Sequence, residues 1–263
     1  MRTSSRDGTA IAFQRRGEGA PIILVGGALS DLASADPLAA LLCARFSVLT
    51  YDRRGRGESG DTPPYTVERE VEDLNAVLQA AGGSAMVFGH SSGGVLVLHA
   101  ASRGLPITRL AVYEPPFIVD ASRPPLPPDY AARITGLVSA GRRGEAVEYF
   151  LSAGPQAPAA AIAKMRLSPA WPRMEAMAHT VIYDSAIMGD RMEGRPLAPG
   201  AWSSVTAPAL VMDGGASPAW LRHAADAVSR ELAGARRMTL EGQTHSFSAA
   251  AMAPVLEEFF GGA

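Results

Sequence analysis

One cysteine in 263 residues, Cys43, excludes an internal disulfide and any cysteine-based metal centre. It lies in the apolar run Leu38-Ala39-Ala40-Leu41-Leu42-Cys43, where a buried, inert thiol is expected. No apolar stretch is long enough to cross a bilayer as a helix. The N-terminal residues Met1 to Gly8 are polar and lack the apolar centre of a signal peptide, so a soluble, cytoplasmic protein is expected. Charge of one sign is also missing. There are 24 basic and 26 acidic residues, a net charge of −2, and no long run of either kind. That balance argues against a nucleic-acid surface or an anionic-membrane anchor, and leaves a small molecule as the expected partner.

Hydrophobic residues make up 47% of the chain, enough to bury one large core. Short apolar runs alternate with helical patterns, which predicts an α/β fold, a mostly parallel sheet with helices on both faces. The expected strands are Thr9 to Arg15, Pro21 to Val25, Phe46 to Tyr51, Ala85 to Phe88, Thr108 to Tyr113, Ala209 to Met212 and Arg237 to Leu240. Val67, Val71, Leu74, Val77 and Leu78 recur at helical spacing within 66–81, and a last helix is expected at about 250–260. Between about 117 and 205 the strands stop. Proline-punctuated helical patterns replace them near 129–140, 144–153, 158–167 and 172–189. This stretch reads as a helical insertion over the C-terminal edge of the sheet, too interrupted to hold a separate core, so that 1–263 form a single domain.

Gly89-His90-Ser91-Ser92-Gly93 stands between an apolar strand and an apolar helix. Gly-x-Ser-x-Gly in that context is a sharp turn that lifts a serine hydroxyl off the sheet edge, with the glycines admitting the close approach. A serine hydroxyl needs a base to become nucleophilic, and the base needs an orienting group. The base should follow the last strand, and Glu241-Gly242-Gln243-Thr244-His245 does so, which selects His245 over His90, His99, His179 and His223.

With these motifs the chain resembles the serine-type α/β-hydrolases. Pro21 to Gly27 is similar to the strand and turn that supply an oxyanion-hole amide. Asp52-Arg53-Arg54-Gly55-Arg56-Gly57-Glu58-Ser59 is similar to the family's D-x-R-G-x-G-x-S segment. The resemblance implies the α/β-hydrolase fold, with 117–205 as its variable cap. It implies an oxyanion hole made by the amides of Ser92 and Ala28, with Gly27 as the neighbouring candidate. Asp52 and Arg53 are expected to brace loops, and Arg54, Arg56 and Glu58 to form a solvated, salt-bridged turn.

One departure concerns the acid. Aligned on Gly214, the family's usual acid position holds Ser217, and Asp213 falls too early, at the strand end. Glu114 ends the strand after the nucleophile helix, where some members of the fold place their acid, so the expected triad is Ser91, His245 and Glu114. The expected function is hydrolysis of carboxylic esters or lactones of a small, mainly apolar substrate through an acyl-enzyme on Ser91. No cofactor or metal is expected. Aromatic and methionine side chains of the insertion, among them Tyr130, Trp171, Met174 and Met177, would form its core and part of the cleft. Carbon–carbon bond hydrolysis and perhydrolase activity would use the same triad. A non-catalytic small-molecule binding protein with a hydrolase shell is the reading that Ser217 favours.

Overall fold

Strands buried on both faces read as unbroken apolar runs, and those runs build the centre of the fold. The computed structural model describes residues 1–262. Its strands are β1 (Arg2–Ser4), β2 (Ala10–Arg16), β3 (Pro21–Val25), β4 (Ser47–Tyr51), β5 (Ala85–His90), β6 (Ile107–Tyr113), β7 (Ala209–Gly214) and β8 (Arg236–Leu240). They form one eight-stranded sheet in the order β1-β2-β4-β3-β5-β6-β7-β8. β2 runs antiparallel to β1 and β4, and the pairs from β4 through β8 are parallel.

The helices are α1 (Asp36–Leu42), α2 (Val67–Ala80), α3 (Ser92–Ser102), α4 (Tyr130–Ser139), α5 (Arg143–Ala153), α6 (Ala159–Arg166), α7 (Trp171–Ala176), α8 (Val181–Met188), α9 (Ala219–Glu231) and α10 (Ala249–Gly261). One face of the sheet is covered by α2, α3 and α9, through residues such as Leu74, Val97 and Val228. The other is covered by α1 and α10, through Leu38, Leu42, Leu256 and Phe260. Thr66 begins α2 by accepting the Arg69 amide at its hydroxyl, and Gly82 and Gly83, both at positive φ, end its run.

Among the described residues, 117–205 hold α4 to α8 and no strand. Three details differ from the expectations. The three-residue β1 carries no apolar alternation, so it left no pattern to read. The pattern at 172–189 is two helices, α7 and α8, joined by a 3-10 turn at Ala178–Thr180. Met177, Ala178, Thr180 and Val181 are all buried there, more of the circumference than one straight helix face presents, and the chain tightens to accommodate it. The insertion also buries its own cluster, including Tyr130, Ile134, Val147, Trp171 and Val181, because the prolines fall mainly between or at the starts of helices. Leu29, from the loop after β3, belongs to the same cluster and keys the insertion to the sheet.

Parallel strands end at a common edge. The loop after β3, Ser91 after β5, Glu114 after β6 and the segment after β8 therefore converge there. The register pairs His90 with Tyr113, which makes Ser91 and Glu114 the next residues on adjacent strands.

Candidate active site

Ser91 sits between β5 and α3 at φ 56° and ψ −129°, a conformation that side-chain-bearing residues rarely adopt. Its neighbours must be glycine. A Cβ on Gly89 would lie 2.5 Å from Gly94 Cα, and one on Gly93 would lie 2.4 Å from the Val25 carbonyl oxygen. The Ser91 amide donates to Tyr113 O at 2.9 Å, fixing the turn to β6. Its hydroxyl has no hydrogen-bond partner among the described residues, and so is not engaged with His245 in this state.

The loop after β3 passes directly over the serine. A Cβ on Gly27 would stand 2.8 Å from Ser91 Cβ. This places Gly27 and the Ala28 that follows it against Ser91, and the start of α3, whose first amide is that of Ser92, packs on the same loop, where a Cβ on Gly93 would lie 2.5 Å from Gly26 O. The N-terminus of an eleven-residue helix adds its partial positive charge at that point.

His245 lies five residues beyond β8 with its side chain 34% exposed. Its Nδ1–H donates to Glu114 Oε2 at 2.7 Å. Because the carboxylate only accepts, that bond leaves the lone pair on Nε2. Glu114 is fully buried, stands at φ 48°, and accepts the Gly214 amide on Oε1 at 2.8 Å. Both its oxygens are thus occupied and its plane is fixed. The histidine segment is held from below as well. Tyr113 Oη donates to Thr244 O at 2.7 Å, and His90 Nε2–H donates to His245 O at 2.9 Å. Burial, then the nearby His245, push the His90 pKa down to about 3, so this ring is neutral and its donor role is fixed.

The structure brings Ser91, His245, Glu114, Gly27, Ala28 and Ser92 to one place. Asp213 is elsewhere engaged, with Arg237 Nη1 at 2.7 Å and Thr239 Oγ1 at 2.8 Å, both on β8. Ser217 is buried and makes no side-chain bond to His245. No group of three or more His, Cys, Asp or Glu side chains is placed to hold a metal ion among the described residues. Two open surface depressions of about 780 and 540 Å³ lie on the insertion, around Tyr149 and Pro125, away from Ser91.

The arginine turn requires a correction. Asp52 does brace loops, accepting Leu32 N at 2.7 Å and Glu58 N at 2.9 Å. Arg54 and Arg56, however, are fully buried rather than solvated; only Glu58 is at the surface. Arg54 is gripped by both oxygens of Asp73 at 2.7 Å. Arg53 forms a fork on Glu70 at 2.6 and 2.8 Å and reaches Asp184 at 2.8 Å. Arg56 reaches both oxygens of Asp184, at 3.0 and 2.8 Å. The partner carboxylates belong to distant segments, which hid them. One signal was available. Glu70 falls on the apolar stripe of α2, between Val67, Val71 and Leu74, where a carboxylate needs a buried cation.

A model of the alpha/beta hydrolase family matches residues 22–258. The chain is similar to an alpha/beta hydrolase from Sphaerobacter thermophilus, with 56% identity over 99% of this chain and 100% of that one and a TM-score of 0.93. Its fold is also that of the enol-lactonase from Burkholderia xenovorans, with 23% identity over 99% of this chain and 100% of that one and a TM-score of 0.71. It is 36% identical to the uncharacterized hydrolase YraK of Bacillus subtilis over 100 residues, 36% of this chain and 37% of that protein. The alignments span about a third of the length of the curated relatives.

Proposed function

Since the chain belongs to the alpha/beta hydrolase family, we propose that it is a hydrolase that cleaves carboxylic esters or lactones of a small, mainly apolar substrate, with Ser91 as nucleophile, His245 as base and Glu114 as the orienting acid. The observation that carries this reading is the 2.7 Å bond between His245 Nδ1 and a Glu114 carboxylate whose other oxygen is fixed by Gly214 N. It supplies the acid that Ser217 cannot be, and so offsets the one feature favouring a non-catalytic shell.

The chemistry runs as follows. His245 Nε2 takes the Ser91 proton as Oγ bonds to the substrate carbonyl carbon, and the carbonyl π pair moves onto oxygen. The resulting oxyanion accepts from the amides of Ser92 and Ala28. Glu114 stabilises the imidazolium that forms. Collapse of the tetrahedral intermediate expels the alkoxide, which takes the proton from Nε2 and leaves the acyl group on Oγ. Water, deprotonated by His245, then releases the acid by the reverse path. A mainly apolar substrate fits the charges nearby, since Arg53 and Arg56 are already engaged by Glu70 and Asp184. The helical insertion at 117–205, which packs on Leu29 beside the serine loop, would serve as the cap of this cleft within a single domain.

A fluorophosphonate probe tests the reading, because only an activated serine reacts quickly. Wild-type protein should label at Ser91 and hydrolyse an activated ester, while Ser91→Ala should lose label and about a thousandfold or more in rate. Retention of more than about a tenth of the rate, far above what a lost nucleophile allows, would place the nucleophile elsewhere. A panel of esters and lactones would then define the acyl group.

A further inference from the structure

Asp184 is a carboxylate that the triad does not use. It lies on α8 of the insertion, only 4% exposed, 92 positions along the chain from its hydrogen-bond donor Ser92. Its Oδ1 accepts from Ser92 Oγ at 2.7 Å, from Arg53 Nη1 at 2.8 Å and from Arg56 Nη2 at 3.0 Å. Its Oδ2 accepts a second contact from Arg56 Nη2 at 2.8 Å. Burial alone would raise its pKa, but Arg56 and Arg53 outweigh burial and hold it below the usual carboxylate value.

The two arginines also hold the loop that faces Ser91. Arg53 Nη1 donates to Gly26 O at 3.3 Å, and Arg56 Nη1 donates to Gly27 O at 2.5 Å, an oxygen that also accepts Ser30 N at 3.4 Å. The Gly27 carbonyl and the Ala28 N–H belong to one planar, trans peptide unit, in which they point in opposite directions. Fixing the carbonyl on a guanidinium therefore aims the amide. A charged donor on that carbonyl also polarises the peptide and strengthens its N–H as a donor. The second amide belongs to Ser92, whose side chain is held by the same carboxylate.

We propose that Asp184 is a positioning residue for the oxyanion hole, fixing one donor peptide through Arg56 and the other through Ser92, so that turnover depends on the docking of α8. This rests on the reading of Ser91 as nucleophile. The dependence is selective. Glu70 holds Arg53 through Nε and Nη2 and would keep it in place without Asp184, whereas Arg56 has no other carboxylate partner among the described residues. Loss of the Asp184 charge thus acts chiefly on Arg56, Gly27 O and the Ala28 amide.

The test compares Asp184→Asn and Ser92→Ala with Tyr183→Phe. The last removes a different bond between insertion and body, Tyr183 Oη to Asp61 Oδ2 at 2.8 Å. Active sites are titrated with a fluorophosphonate, so that misfolded chains are not counted. Then kcat and KM are measured on p-nitrophenyl acetate, with the affinity for a trifluoromethyl ketone, which binds serine as an oxyanion adduct. Asp184→Asn should lower kcat and ketone affinity together by about a hundredfold, and Ser92→Ala by about tenfold, as expected when oxyanion donors are misaimed. KM should stay within about threefold, since the ground-state carbonyl uses those donors less, and Tyr183→Phe should match wild type. Variants that turn over normally per titrated site, or that lose only KM or melting temperature, overturn the proposal. If Asp184→Asn fails to fold, Ser92→Ala decides it. A wild-type chain that neither labels nor hydrolyses the ester overturns the nucleophile reading itself.

Discussion

Replacing Glu114 by glutamine exchanges one carboxylate oxygen for an NH2 group in a site that has no slack. The carboxylate accepts His245 Nδ1–H on Oε2 and Gly214 N–H on Oε1, and is wholly buried. Glutamine has one acceptor and one donor at those places. If its oxygen serves Gly214, its NH2 group faces Nδ1, the imidazole must carry its proton on Nε2, and Ser91 meets a donor instead of a base. If its oxygen serves His245, the NH2 group meets Gly214 N–H and two buried donors oppose each other, at about 1–3 kcal/mol. In either arrangement the charge opposite the imidazolium is gone. An Asp→Asn change in a serine protease triad costs about 10⁴ in rate by the same tautomer error. We therefore expect a fall of about 10³–10⁴ in kcat, or roughly 4–5.5 kcal/mol of transition-state stabilisation. The assay is p-nitrophenyl acetate hydrolysis on probe-titrated enzyme, with calorimetric melting to show that the fold survives. A rate within about tenfold of wild type would show that no charge at 114 is needed and would sink the assignment.

Asp213→Asn should leave kcat within about threefold while lowering the melting temperature, because it breaks the pair with Arg237 and leaves His245 untouched; a loss comparable to that of Glu114→Gln would move the acid to β7. Gly93→Ala should abolish activity and cost stability at the upper end of about 1–3 kcal/mol, since its Cβ would lie 2.4 Å from Val25 O; an active, equally stable variant would contradict that crowding. His90 has its pKa depressed to about 3 from 6.5, so the unfolded chain binds a proton that the native one does not. Its contribution to stability is therefore complete above about pH 6.5 and lost as pH falls towards 3, and His90→Gln should flatten the decline in melting temperature across that window. An unchanged pH slope in the variant would show that His90 is protonated in the native state.

The parallel strands were legible because burial on both faces removes polar alternation, as in Ile22 to Val25 and Ala85 to Phe88. Ser91 was legible because its turn tolerates only glycine at 89 and 93. Glu114 was reached through the gap left at 217. What was not legible depends on partners remote in sequence. Arg54 and Arg56 sit among glycines in a polar stretch, and nothing local shows that Asp73 and Asp184 will bury them. Cys43 fails for a related reason. The apolar run suggested a buried thiol, but the residue is the C-cap of α1 and only half-buried, its Sγ bonding to Ala40 O.

The placement of Glu114 has a mechanical consequence. Ser91 and Glu114 each extend a hydrogen-bonded pair of neighbouring strands, and their amides are tied to Tyr113 O and Met212 O. Their separation is therefore set by the spacing of the sheet, about 4.8 Å from strand to strand. His245 alone hangs on a segment outside regular structure, between β8 and α10. Such a device has two fixed jaws and one hinged part. Heating loosens the hinge before the frame, because irregular segments open at lower free energy than core strands. The temperature at which turnover fails should then fall below that at which the sheet melts, and stiffening 241–248 would narrow the interval without any change to the core.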